Sequence, residues 1–170
     1  MPYTDLLRLT VLLAGAEATA LGVIAALAAG RDGGDPTTVL VAAVWWLASL
    51  AIGLYLGRPS SAADGVRDAL AQARTATSLP SETPTRVALG RLWPIGLTAL
   101  VAGVLGIFFP GVAVIGAGYA LLVALAWRTR EAAVLGIEHR DGVKFYVVPT
   151  SALRPVELVR TPGLRSDRPR

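Results

Sequence analysis

"LTVLLAGAEATALGVIAALAAG", residues 9–30, decides how this chain is read. Only Thr10, Glu17 and Thr19 interrupt its apolar character. At about 1.5 Å per residue, a helix of that length covers the roughly 30 Å hydrocarbon core of a bilayer. Three more stretches are built alike, so the expected spans are 9–29, 38–57, 92–109 and 111–127. "GRDGGDPTT" joins the first two with turn chemistry and a Thr cap for the second helix, and "FFPG" reverses the chain between the last two. The expected fold is therefore an all-α membrane protein whose four transmembrane helices, residues 1–127, form two helical hairpins.

The composition agrees. Of 170 residues, 54% are hydrophobic and 16% charged, with a mean hydropathy of +0.56. Soluble domains carry about 25% charged residues, and here the deficit falls in the long runs. Cysteine is absent, which removes disulfides and thiolate metal sites. The sequence pI of about 10.1 comes from placement: fifteen of the sixteen basic residues lie on one side of the four spans, and Arg31 alone on the other. Positive charge stays cytoplasmic, so both termini and the 58–91 loop are expected there, in the plasma membrane. Arg8, Tyr55, Arg58, Arg91, Trp93, Trp127 and Arg128 mark that edge as interface anchors. No nucleic-acid recognition motif accompanies the charge, so no nucleic-acid partner is expected.

Two A-x-A motifs, "AEA" at 16–18 and "ALA" at 26–28, raise a rival reading of the first span as a signal peptide. The apolar run outlasts an h-region of about 7–15 residues, and Asp5 offsets Arg8, so the span is expected to stay.

Outside the spans, Ser61 with Asp64 reads as a capping box for an amphipathic helix at about 62–77, laid on anionic inner-leaflet headgroups. A linker follows at Pro80–Pro84. In the segment 128–163, Val134, Leu135 and Ile137 precede "HRDG", and "VKFYVV" follows, which predicts a β-hairpin; "VELV" adds a third strand. So small a sheet needs support from the helix ends, the lipid surface or another protein. Residues 164–170 read as a disordered basic tail. The run "GIEHRDGVKFYVVPTSALRPVELVRTPG", residues 136–163, resembles the C-terminal segment of uncharacterised small four-span integral membrane proteins of actinobacteria. The resemblance implies the general layout and no activity.

Glu17 is the group most out of place, near the expected midplane. An ionised carboxylate there is expensive, so a neutral acid facing protein is expected. Ser49, Trp46 and Tyr119 share its depth and complete a candidate intramembrane polar site. Ala14, Ala18, Gly22, Ala26 and Gly30 form a small-residue ridge on the same helix, and Ala99–Gly103 and Ala102–Gly106 repeat its spacing, a signature of close helix packing. Trp45 and Trp46 at mid-span imply an indole packed inside the bundle. His139 is expected solvated in the hairpin turn, and Pro94 in the first turn of its helix. No catalytic, cofactor or metal-binding constellation is legible. The expected role is a non-enzymatic accessory or scaffold subunit acting through its cytoplasmic face, with a membrane or cytosolic protein, or a second copy, as partner. The alternative is a small oligomeric channel or proton-coupled transporter using Glu17. A membrane-embedded lipid enzyme lacks the charged interfacial cluster it would need.

Overall fold

The computed structural model describes residues 1–31, 35–75 and 83–162. The linker residues 80–82 and the tail at 164–170 lie outside them. The elements run α1 Tyr3–Arg31, α2 Pro36–Leu56, α3 Pro59–Ala71, β1 Arg74–Thr75, α4 Pro84–Phe108, α5 Pro110–Trp127, α6 Arg130–Asp141, β2 Val143–Val147 and β3 Leu158–Pro162. Helices α1, α2 and α4, and α5 with its continuation α6, are four rods long and apolar enough to cross a membrane. This architecture is compatible with a membrane protein.

Proline sets the start of four helices. Pro36, Pro59, Pro84 and Pro110 each stand in the first turn of α2, α3, α4 and α5. There the missing N–H costs no helical bond and the fixed φ suits the helix. The consequences correct three expectations. The cap of α2 is Asp35, not a threonine: its carboxylate accepts from Thr37 N at 3.4 Å, Thr38 N at 3.2 Å and Thr38 Oγ1 at 3.0 Å. Chiefly the Thr38 hydroxyl, and then the two backbone N–H groups, hold that carboxyl below its usual range. Helix α3 starts from Arg58, so Ser61 is inside the helix and no capping box forms; Asp64 instead pairs with Arg67 at 3.7 Å. It also ends at Ala71, short of 77, and Arg74–Thr75 are strand. Because α4 starts at Pro84, Pro94 is interior rather than first-turn, and the Gly90 carbonyl loses its helical donor.

The tail departs further from expectation. Residues 130–141, expected to supply the first strand of a hairpin, are helix α6. Glu131 sits in its first turn and His139 and Arg140 in its last, the charge order that the helix dipole favours. "HRDG" is the end of this helix and not a β-turn: Gly142 adopts φ +62°, and its N–H bonds Glu138 O. Glu138 Oε1 then accepts from Phe145 N at 3.0 Å, carrying the chain into β2. Strand β2 covers all but the last residue of the expected "VKFYVV", whereas the last strand lies two residues later than "VELV". The sheet order is β1-β3-β2, with β3 antiparallel to β2 (Phe145 opposite Arg160) and parallel to β1 (Arg74 opposite Val159).

All but one of the large, nearly inaccessible side chains gather at one end of the bundle. Met1, Tyr3, Leu6 and Leu7 from the start of α1 pack with Val66 and Leu70 of α3, Val87 of α4, Val134 of α6, and Val143, Phe145, Val147 and Leu158 of the sheet. The apolar face of α3 is thus spent on α6 and this core. The outer edge of β2 is closed by the first residues of the chain: Val147 N donates to Met1 O at 3.0 Å, and Pro2 bridges Tyr146.

Helix α5 is the hub of the bundle. It packs against α1, α2 and α4, and α1 also packs on α4. The α4–α5 reversal is close, with Gly106 of α4 against Ala113 of α5. By contrast α1 and α2, though sequential, share almost no packing; each finds its main partner in α5.

Candidate functional site

The polar groups expected to converge in the span region separate onto two seams. Trp46, Ser49 and Tyr119 belong to the contact of α2 with α5. Trp46 Nε1 donates to Val114 O at 3.0 Å, and Trp45 Nε1 to Ile115 O at 3.4 Å. Both indoles can approach because α5 is small there: a Cβ on Gly118 would overlap the Trp45 ring. Trp45 also stacks edge-on with exposed Tyr119, centroids 5.2 Å apart. Ser49 is fully buried, and its Oγ has no hydrogen-bond partner among the described residues. One turn on, a Cβ on Gly53 would meet Leu125 Cβ at 2.9 Å and Leu122 O at 3.1 Å, so the backbones of α2 and α5 touch. Thr129 Oγ1 fastens the end of the seam by donating to Gly57 O at 2.9 Å.

Glu17 lies elsewhere, half-buried on α1 with its carboxyl near Thr98 of α4. The Thr98 hydroxyl in turn donates to Ile95 O at 2.9 Å. Thr98 went unremarked in the sequence, although a depth count would have found it. It stands seven residues inward from Arg91, as Glu17 stands nine inward from Arg8, about 10 and 13 Å along their helices.

Between α1 and α2 the bundle is open. A shallow cavity of about 230 Å³ is lined by Gly15, Ala18, Thr19, Gly22, Trp46, Ala117 and Leu121, and it faces outward. Ala18 and Gly22 of the small-residue ridge open onto this groove, whereas Ala14 is buried. Glu17 is not among the lining residues.

The other concentration of polar groups is where the bundle meets the packed end. Arg91, half-buried on α4, sends Nη1 to Thr150 Oγ1 at 3.1 Å, Ser151 O at 2.8 Å and Arg154 O at 2.9 Å, holding the β2–β3 connection against the helix. Arg58 lies over the Tyr55 ring at 4.2 Å, and Arg130 over the Trp127 ring at 4.2 Å. Arg8, Trp93 and Arg128 are exposed at the same end. Arg130 was missed in the sequence; its signal was the Arg-Thr-Arg run directly after Trp127. His139 is exposed in the last turn of α6 rather than in a hairpin turn. Among the described residues no three His, Asp or Glu side chains gather as a metal site.

No family model matches the chain, nor does any curated protein or solved structure.

Proposed function

We propose that the chain is a multi-pass plasma-membrane protein, with both termini and residues 58–91 cytoplasmic, that serves as a non-enzymatic accessory or scaffold subunit through its packed, basic end. One observation carries this reading: the large-residue core lies at the end that bears twelve of the thirteen basic residues among those described. Such a core gives a defined surface to a partner, and charge asymmetry supports its cytoplasmic side. The channel or carrier alternative draws less support, because Glu17 stands off the one groove described above.

Labelling tests the orientation. Thr37→Cys in the first turn of α2 and Ser60→Cys in the first turn of α3 occupy exposed positions beyond opposite ends of the α2 rod. An impermeant maleimide added outside intact cells should modify the first and not the second; the reverse pattern overturns the assignment. The scaffold role is tested by co-purification in mild detergent. Leu153, 85% exposed on the β2–β3 connection, is the most exposed large apolar side chain of the described residues. Leu153→Asp should release a stoichiometric partner without unfolding the chain. If instead Glu17→Gln abolishes a pH-dependent flux in liposomes, the carrier reading replaces this one.

A further inference from the structure

A single guanidinium nitrogen gathers an entire turn. The connection between β2 and β3 is closed at its base by Val148 N, which donates to Glu157 O at 3.0 Å. Within it Arg154 N donates to Ser151 O at 3.0 Å and Leu153 N to Ser151 Oγ at 3.4 Å, so residues 151–154 form a β-turn. From α4, Arg91 Nη1 donates to Thr150 Oγ1 at 3.1 Å, Ser151 O at 2.8 Å and Arg154 O at 2.9 Å. Pro149 and Pro155 restrict the backbone on either side. At the tip Leu153 is 85% exposed. Beside it Arg154, the single charged residue of 149–156, is exposed and forms no ion pair among the described residues.

A lone exposed leucine is ordinary on a protein surface. Leu153 differs because a half-buried arginine and two prolines fix the backbone that displays it. Ser151 O, which closes the turn, accepts from both Arg154 N and Arg91 Nη1. An anchor already held in its bound conformation loses less entropy on docking. A bilayer gains nothing from such a clamp, since fluid hydrocarbon accepts a leucine in any conformation. One leucine also adds little there, because even a myristoyl chain gives only marginal membrane binding. Val156, the other large apolar side chain of 149–156, packs on the core instead. A shaped pocket uses both the fixed geometry and the neighbouring charge. We propose that the turn Ser151–Arg154 docks a protein partner that offers an apolar pocket for Leu153 and a carboxylate at its rim for Arg154, with Arg91 as the positioning residue that presets the turn. The proposal rests on the scaffold reading above and names the chemistry of its partner.

The first test needs no partner. In the full chain in phosphatidylcholine nanodiscs, the Leu153 and Arg154 amides should be rigid, with NMR order parameters of about 0.85. Arg91→Gln should lower them below about 0.6 and speed exchange of the Arg154 amide about tenfold, leaving β2 and β3 unchanged. Thr150→Val removes one of the three acceptors and should act more weakly in the same direction, so the clamp stays testable if Arg91→Gln misfolds. A turn equally rigid in wild type and both variants overturns the proposal. The second test places a leucine-sized diazirine amino acid at position 153 and illuminates intact cells. The expected product is an adduct with one protein, attached at an apolar site next to an Asp or Glu. Arg154→Glu should cut its yield about tenfold or more, the loss of a charge-assisted hydrogen bond. Arg91→Gln should cut it several-fold, and Arg67→Gln on exposed α3 should leave it unchanged. Adducts with lipid alone, no adduct, or a yield indifferent to Arg154→Glu overturn the proposal. If a stoichiometric partner co-purifies while the adduct fails, the docking turn falls and the scaffold reading stands; if none co-purifies, the scaffold reading itself falls.

Discussion

The packed end and the bundle are built on opposite rules. At the packed end Leu7, Val66, Val134 and Val147 are at most 1% exposed, and none of the described charged residues is buried. In the bundle the buried positions are mostly Ala, Gly and Ser, including Ala14, Ser49, Gly53, Gly106, Ala113 and Gly118, while Leu40, Leu47 and Leu100 point outward, each more than 60% exposed. Leu21 is the exception, buried against Gly116. The first pattern is what water enforces, since large apolar side chains must be hidden from it. The second is what lipid permits. Hydrocarbon is as apolar as leucine, so helices gain by bringing backbones close rather than by hiding side chains. The contrast is the one expected of a chain that meets two solvents, and the change of rule falls in α1 between Leu7 and Ala14.

The sharpest break in this contrast is Leu7→Ala. It should destabilise the packed end by about 2–5 kcal/mol, the cost of a buried leucine and the cavity it leaves. The partner experiment is Leu40→Ala on the outer face of α2, which should stay within about 0.5 kcal/mol of the wild type in lipid. Reversible unfolding in mixed micelles measures both; equal losses would mean that water, not lipid, bathes α2.

Next in size is Gly53→Leu, which puts a side chain where Leu122 and Leu125 already stand. Overpacking of this kind costs about 1–3 kcal/mol, and it should part α2 from α5 without disturbing the packed end. Tryptophan fluorescence reports the parting, because Trp45 and Trp46 lose their carbonyl partners. An unchanged spectrum would contradict the backbone contact.

The smallest effect concerns Asp35. Its carboxyl is held below the usual range in the folded chain, so the stability it gives is fully present above the unfolded value of about 4. That contribution fades as pH falls through the lower, folded value. The protection of Thr37 and Thr38 against hydrogen exchange, taken relative to the intrinsic exchange rate at each pH, should therefore fall a few-fold on acidification, and Asp35→Asn should flatten that dependence. Protection that rises on acidification would reverse the sign.

How much of this was legible depends on which forces were local. The four spans could be read because each carries its own apolar run, and "VKFYV" because alternation marks a half-buried strand. The four helix starts were equally local, written in Pro36, Pro59, Pro84 and Pro110, yet Ser61 and the threonines drew attention away from them. Helix α6 was misread for a different reason. Val134, Leu135 and Ile137 suggest a strand in isolation, but Val134 is buried by α3 and the start of α1, more than sixty residues away in the sequence. The same distance hid the second role of α3. Of the candidate polar set, the depth of each residue could be counted from the interface. The rotation that turns Glu17 toward Thr98 and Trp46 toward Val114 depends on which helices pack together, and sequence order wrongly suggested α1 with α2.

The clasp between Met1 and Val147 has a consequence for biosynthesis. The ribosome delivers the start of α1 before α2, α4 and α5, and its backbone partner in β2 only after them. Until then Leu6 and Leu7 have no sheet to pack on, and that end stays open. Closing so long a loop is entropically slow and waits on β2 to emerge. Completion of the clasp therefore reports, in one contact, that every span between its two halves has been made.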